Sequence, residues 1–132
     1  MAGTITPTHN KRGPIGVIEY TCTADASDGS YPETETAAKI SGNLMALETN
    51  PGATAPTANY DIVLDDAQGH DVLEGTGANR HTTNTEKATI AFGTYHGSPV
   101  AITDVLTLKI TNNSVNSAVV VIRLYYWGQG EG

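Results

Sequence analysis

Apolar and polar residues alternate along several short stretches of the chain, and this alternation predicts β-strands. In Ile15–Ala24, the residues Ile18, Tyr20 and Cys22 fall on one side of an extended chain, and mostly polar residues fall on the other. The stretch Thr103–Asn113 alternates in the same way. A period of two residues places one set of side chains on each face of a strand, so these stretches suit a sheet with one buried face.

About seven or eight such segments are spaced along the chain, as in sandwiches and barrels. Besides the two above, they include Tyr60–Asp66, His70–Gly75, Lys87–Gly93 and Ser117–Gly128. The last of these is apolar on both faces apart from Arg123, which predicts a strand that is central or covered on both sides. The pattern as a whole predicts an all-β fold, a single-domain β-sandwich of jelly-roll-like type.

The residues of one segment, Ala37–Asn50, are compatible with either a strand or a helix. Its Ala, Leu, Met and Glu residues favour a helix, but Gly42 interrupts them. We favour an extended segment with a kink or bulge at Gly42, while the choice between strand and helix over Ala37–Leu47 stays open.

The 132 residues fit one domain. Residues 1–14 contain Pro7, Gly13 and Pro14 and lack apolar periodicity, so they predict an extended N-terminal arm that is disordered or ordered by a neighbouring subunit. Residues 15–127 form the predicted β-sandwich domain, and residues 128–132, GQGEG, a flexible C-terminal tail.

Charge limits the kinds of partner. The net charge is −7, and the seven basic residues are scattered rather than clustered. Nucleic-acid binding depends on basic side chains at phosphates, so we expect no nucleic-acid partner, and an acidic surface also disfavours anionic membranes. No secretory signal or membrane-spanning apolar run is visible, and one cysteine precludes an intrachain disulfide, so we expect a soluble protein made in the cytoplasm.

The stretch Asp61–Arg80 concentrates acidic residues and raises the question of a metal or catalytic loop. A hairpin turn with Gly69 at a positive φ accounts for its Asp and Gly residues by turn chemistry alone. The spacing fails the calcium-loop pattern of an EF-hand, although a surface calcium site of Asp65, Asp66 and Asp71 stays open. Arg80 is predicted either to anchor the loop, for example on Asp71, or to be solvated.

Catalytic and cofactor motifs are not found in the sequence. The four histidines lack zinc-ligand spacing, and no Gly-x-Ser-x-Gly elbow occurs. The Gly75-x-Gly77 pair does not continue as a phosphate loop, and Cys22 is interpreted as a core residue. The Asn112–Ser114 sequon is interpreted as a turn. We therefore expect a protein that is not an enzyme and holds no cofactor.

The densest aromatic cluster is Tyr125–Trp127. Alternation places Tyr126 on one face and Tyr125 with Trp127 on the other. One set belongs to the core, and the other is either also covered within the chain or forms a contact with another subunit, because aromatic residues are enriched in interface cores.

Three features resemble a group of small β-rich proteins encoded among the structural genes of tailed bacteriophages: the TNPG loop, the run YDIVLDDAQGHDVLEGTGANR and the closing hairpin LKITNNSVNSAVVVIRLYY. Together they lie within residues 42–127. The resemblance implies a virion structural protein on the outer surface of the phage head. It would be a decoration or cement protein that binds the major capsid protein and itself, commonly as a trimer.

On this interpretation the expected contacts with the capsid or with other copies come from the arm and from the edge aromatics. They are Ile5, Pro7, Lys11, Arg12, Tyr125 and Trp127. Three other functions stay open: a tail, neck or fibre-associated structural protein, a carbohydrate- or calcium-binding module, and an enzyme, for which the sequence offers least.

Overall fold

The computed structural model describes residues 3–35, 40–73, 75–89, 91–92, 95–96, 100–102 and 105–131. Its strands are β1 Thr4–Arg12, β2 Ile15–Thr23, β3 Thr34–Glu35, β4 Ile40–Pro51, β5 Asp61–Asp65, β6 Glu86–Thr89, β7 Ala91–Phe92, β8 Tyr95–His96, β9 Val100–Ile102, β10 Thr107–Thr111 and β11 Val119–Glu131. Helices are absent from the described residues, so none there could cross a membrane.

The strands form two antiparallel sheets and a small two-stranded ribbon. The long sheet has the order β1-β2-β11-β4-β6, with β9 also paired to β4. The short sheet has the order β3-β10-β5, and β7 pairs with β8. The all-β architecture predicted from the alternation is confirmed, and it is consistent with a β-sandwich; the jelly-roll connectivity stays a prediction.

The core is made of alternate residues from both sheets. On β11, the central strand between β2 and β4, Val120, Ile122, Leu124 and Tyr126 are buried, whereas Arg123 is exposed. The prediction that this strand is central is therefore confirmed. Ile18, Tyr20 and Cys22 are buried beside it, and the short sheet contributes Ile62, Leu64, Leu108 and Ile110. Cys22 is a core residue, as predicted.

The prediction of an N-terminal arm over residues 1–14 is wrong for the part that the structure describes. Residues Thr4–Arg12 are strand β1, which pairs along its whole length with β2. Pro7 is compatible with this strand because β1 is an edge strand, where a missing N–H need not interrupt a ladder. Gly13, with φ 59°, makes the turn into β2. Met1 and Ala2 lie outside the described residues.

The predicted flexible tail is also wrong over residues 128–131. Strand β11 continues to Glu131, with Gly130 opposite Ser41 and Glu131 opposite Ile40 on β4. A register shift between Trp127 and Gly130 takes up the glycine-rich sequence as a bulge. The long strand β4 supplies a pairing partner that composition alone does not reveal. Gly132 lies outside the described residues.

Strand β4 settles the segment left open between strand and helix. The chain is extended from Ile40 onward, and residues 36–39 lie outside the described part. Gly42 has φ 153° and lies opposite the bulge of β11, whereas the extra residue of β4 itself is Met45, so the extended segment is confirmed and the bulge of β4 lies three residues after the predicted place. The strand predicted over His70–Gly75 is wrong: Asp71 makes a single bridge to Asp65, and Val72 and Leu73 form a turn.

Candidate interaction surface

The acidic stretch after β5 folds as a turn. The Asp66 carboxylate accepts hydrogen bonds from the backbone N–H groups of Gln68 (2.9 Å) and His70 (3.1 Å). Gly69 has φ 83°, as the hairpin interpretation predicted. The carboxylate therefore closes the loop on itself, which is the ordinary use of Asp in a turn.

The neighbouring carboxylates are also occupied by the chain. Asp71 accepts from the N–H groups of Leu64 (3.1 Å), Leu73 (3.0 Å) and Gly75 (3.1 Å). Asp65 pairs with Lys109 at 2.8 Å, and this hydrogen bond raises the pKa of the lysine. Within the described residues, no group of three His, Cys, Asp or Glu side chains could hold a metal ion. The geometry therefore does not support a calcium site formed by Asp65, Asp66 and Asp71.

Arg80 anchors its loop, but through partners other than Asp71. Its Nε and Nη2 donate to the carbonyl oxygen of Ala78 at 3.3 and 3.2 Å, and Nη1 lies 3.6 Å from Glu86. Its backbone bridges to Tyr60. The loop is therefore held against the start of β5.

The cysteine is not placed for nucleophilic chemistry. Cys22 is fully buried, and burial raises the pKa of its thiol to about 12. A thiol that stays protonated at neutral pH is a poor nucleophile. His81 is used locally, since its Nδ1 accepts hydrogen bonds from the N–H groups of Thr83 (3.0 Å) and Asn84 (2.9 Å).

The outer face of the long sheet, meaning the side that points away from the core, carries a row of alternating charge. Glu19 on β2 lies opposite Arg123 on β11, Arg123 opposite Glu48 on β4, and Glu48 opposite Lys87 on β6. We call these four residues the charged row. They cross four adjacent strands in the order minus, plus, minus, plus.

Contacts within the charged row fix its side chains. Arg123 Nε donates to Glu19 Oε2 at 2.6 Å, and its Nη1 lies 3.4 Å from Glu48 Oε1. The hydrogen bond to Glu19 raises the pKa of the guanidinium above its usual range. Tyr125 donates its hydroxyl to Glu48 (3.2 Å), and Lys87 Nζ lies 4.2 Å from the centroid of the Tyr125 ring.

One end of this outer face is apolar. Ile15 is 37% exposed, Met45 39% and Trp127 54%, and these are the large hydrophobic residues exposed within the described part of the chain. Ile15 and Trp127 lie directly opposite each other on β2 and β11. Met45 occupies the register shift of β4 opposite Tyr125 and Tyr126. We call Ile15, Met45, Tyr125 and Trp127 the apolar end.

The structure separates the contact residues predicted from the sequence. Tyr125 and Trp127 share the outer face, whereas Ile5 is half-buried and packs against the core, and Pro7 is half-buried on the same side. The backbones of Lys11 and Arg12 lie opposite Gly16 and Ile15 at the end of β1. The predicted contacts thus do not form one surface, because β1 is a strand and its alternate residues face opposite ways.

Several residues of this surface were missed from the sequence: Glu19, Glu48, Lys87, Ile15 and Met45. One signal was present, since Arg123 is the single charge between Val119 and Trp127, and opposite charges are favoured across neighbouring strands. Which acids these are depends on strand pairing between distant segments. A shallow depression of about 220 Å³ lies beside the row, lined by Thr8, Asn10, Val17, Glu19, Arg123 and Tyr125. It is smaller than typical small-molecule sites of roughly 300–1,000 Å³.

The comparisons with known proteins add no assignment. Compared with protein-family models, with curated proteins and with solved structures, the chain matches none.

Proposed function

We propose that this chain is a non-enzymatic structural protein of a tailed phage virion. In this role it decorates the outer surface of the head, binds the lattice of the major capsid protein and stabilises it. The phage assignment rests on the sequence resemblance of the TNPG loop, the acidic hairpin and the closing hairpin. The trimeric state implied by that resemblance is part of the same proposal.

The observation that carries a binding role is the outer face of the long sheet. The acidic side chains of the turn and the one thiol serve the fold, whereas Trp127 remains 54% exposed beside Arg123 and Tyr125. Aromatic and arginine side chains are enriched in the residues that carry binding energy at protein interfaces. An exposed group of this composition supports an interaction module more than a catalyst.

The fold suits a cementing role. A sandwich offers a stiff, flat surface, and many modest contacts repeated over a symmetric lattice add up through multivalency. The net charge of −7 keeps the unassembled protein soluble and away from nucleic acid.

The first test is the copy number of the chain in purified virions, counted against the major capsid protein by quantitative mass spectrometry. Hundreds of copies support head decoration. A dozen or fewer would replace it by the tail, neck or fibre-associated role, and absence from the particle would overturn the virion assignment.

A binding test then addresses the surface. Particles lacking the protein are incubated with the wild-type chain, with Trp127→Ala and with the control Lys109→Ala on the short sheet. We expect Trp127→Ala to lose particle binding and the control to retain it. Equal binding by all three chains would remove the outer face from the function.

One observation favours a second candidate, a carbohydrate-binding module. Trp127 and Tyr125 point to the same side of β11, and exposed aromatic rings can stack on sugar rings. A glycan array separates the two functions, because a glycan signal abolished by Trp127→Ala favours the module and a blank array counts against it.

A further inference from the structure

We propose that the outer face of the long sheet is an interface with a second copy of this chain, related to the first by a two-fold axis parallel to the strands. The inference deepens the proposed function and rests on the part of it that has the chain associate with itself. It replaces the trimer implied by the resemblance by a dimer, and in it Trp127 contributes to particle binding through self-association. The order of charges in the charged row and the position of the apolar end both support this interface.

The charged row contributes little to the isolated fold. The Arg123 and Glu19 side chains are 46% and 37% exposed, and exposed ion pairs of this kind contribute about 0–1 kcal/mol. The same charges matter more when a partner removes water from them, where they determine which orientation is allowed. Four alternating charges in register therefore have more effect on docking than on folding.

The order of the charges selects one symmetry. When the two-fold axis runs along the strands, between β11 and β4, strand β11 of one copy faces β4 of the other copy. In the same way β2 of one copy faces β6 of the other. Arg123 then faces the partner's Glu48, and Glu19 faces the partner's Lys87. Every residue of the charged row meets the opposite charge. A two-fold axis across the strands would instead place Glu19 on Glu19 and Arg123 on Arg123.

The apolar end agrees with the same axis. Rotation about an axis parallel to the strands keeps each position at the same height along the sheet, so the apolar end of one copy covers the apolar end of the other. Trp127 on β11 then lies over the β4 segment that contains Met45. An axis across the strands at the charged row would instead place Trp127 over Val119 at the other end of β11, and the two apolar ends would not cover each other.

The available area approaches that of a stable interface. Strands β2, β11 and β4, each counted over about nine residues, together with the four residues of β6, present a flat area of about 500 Å² at a strand spacing of about 4.8 Å and roughly 3.3 Å per residue. A standard stable interface buries about 800 Å² of accessible surface on each partner, and accessible surface exceeds the flat projection. Two sheets packed face to face about 10 Å apart form a usual protein interior.

The test measures the purified full chain by sedimentation over a range of concentrations, together with the fluorescence of Trp127, the only tryptophan. We expect a mass of two chains and a blue shift of the emission as concentration rises, because Trp127 moves from water into the interface. A monomer at every concentration overturns the inference, and so does a mass of three chains, since a two-fold contact closes with two.

Charge reversal distinguishes this interface from any other. Arg123→Glu places like charges opposite the partner's Glu48, and Glu48→Arg does the same opposite the partner's Arg123. Each variant alone should dimerise at least about tenfold more weakly. An equal mixture should recover dimers, because the reversed charges then face each other across the axis. Lys109→Glu, which breaks the 2.8 Å pair with Asp65 on the short sheet, is the matched control and should dimerise like the wild type.

Circular dichroism checks that each variant is folded. If one is not, Glu19→Lys with Lys87→Glu forms an equivalent pair on the outer strands. Folded variants that fail to recover in the mixture overturn the inference. Because these measurements use the isolated chain, their failure is separate from that of the virion assignment, which is decided by copy number in particles.

Discussion

The side-chain amide of Asn113 donates a hydrogen bond to the carbonyl oxygen of Gly29 over 2.7 Å, and so joins loops that are 84 residues apart in sequence. Its Oδ1 accepts from the N–H of Thr57 (2.9 Å) and of Val115 (3.2 Å). One partly buried side chain thus ties three loops at the end of the sandwich.

We expect Asn113→Ala to lower the free energy of unfolding by about 3 kcal/mol, since several partly buried backbone groups lose their partner. Chemical denaturation measures it. Asn116→Ala, in the same turn but exposed, is the control and should stay within about 0.5 kcal/mol of wild type. If Asn113→Asp, which keeps the acceptor and loses the donor, matched the wild type, the bond to Gly29 would carry no stability.

A second prediction concerns the carboxylate of Asp71, which accepts three backbone N–H groups. Asp71→Ala should lower the free energy of unfolding by about 2 kcal/mol, because hydrogen bonds to a charged acceptor are stronger than hydrogen bonds between neutral groups. The exposed neighbour Gln68→Ala should be nearly neutral. Added calcium should leave the Tm of the wild type unchanged; a calcium-dependent rise would restore the metal interpretation of this turn.

Alanine substitutions at two glycines with positive φ distinguish the cost of backbone strain from the cost of a steric collision. A Cβ at Gly42 would collide with the carbonyl oxygen of Trp127, whereas a Cβ at Gly69 would meet nothing within 4 Å. Gly69→Ala should therefore cost about 1 kcal/mol for its backbone conformation alone. Gly42→Ala should cost at least about 2 kcal/mol more, because β4 and β11 must move apart. If thermal unfolding showed the same loss of stability for both variants, the backbone at the β11 bulge would move aside without cost.

The loss of stability at alkaline pH is determined by a buried thiol and by buried tyrosine hydroxyls. Burial raises the pKa of Cys22 to about 12 from 9.0 and that of Tyr60 to about 12 from 10.0, and it also raises the pKa of Tyr20. The unfolded chain loses these protons first, so the stabilisation is complete below the unfolded pKa values and is lost as pH rises towards the folded ones.

We expect the free energy of unfolding to fall by about 1.4 kcal/mol per pH unit for each such group inside its window. Urea unfolding at a series of pH values above about 9 measures the slope. Cys22→Ala should flatten the curve just above pH 9.0, where only the thiol titrates. An unchanged slope in that variant would show that the thiol is accessible to water in the folded protein.

Removing residues 1–12 tests the pairing of β1 with β2. The sequence predicted an arm outside the β-sandwich domain, but β1 pairs with the whole of β2, and Ile5 packs against the core. Full burial of an isoleucine contributes about 1.5–3 kcal/mol, so the half-buried Ile5 supplies part of this, and the strand pairing adds to it. We therefore expect the truncated chain to lose at least about 3 kcal/mol, whereas a chain lacking only Met1 and Ala2 keeps the wild-type value. A truncated chain with wild-type stability would contradict the pairing.

Sequence patterns predicted the features that depend on local chemistry. The alternation around Tyr20 and Leu108 and the turn at Gly69 each follow from neighbouring residues, and the structure contains all of them. Strand β1 was missed because its inward positions are Ile5, Pro7 and His9, a weakly apolar set in which proline suggests a break.

The interaction surface was predicted only in part, for a different reason. Tyr125 and Trp127 were identified from the alternation of β11 alone. The salt bridge between Arg123 and Glu19 joins residues 104 apart, and that between Arg123 and Glu48 joins residues 75 apart. Such neighbours follow from strand order and register, which short-range patterns do not determine.

The central position of β11 has a consequence for biosynthesis. This strand follows all the other described strands in the chain, yet both β2 and β4 need it as their hydrogen-bonding partner. During translation the hairpin of β1 and β2 can form early, but the long sheet cannot close until β11 has left the ribosome. The nascent chain therefore exposes the apolar sides of β2 and β4 until β11 has been made, which is the interval in which chaperones would hold it.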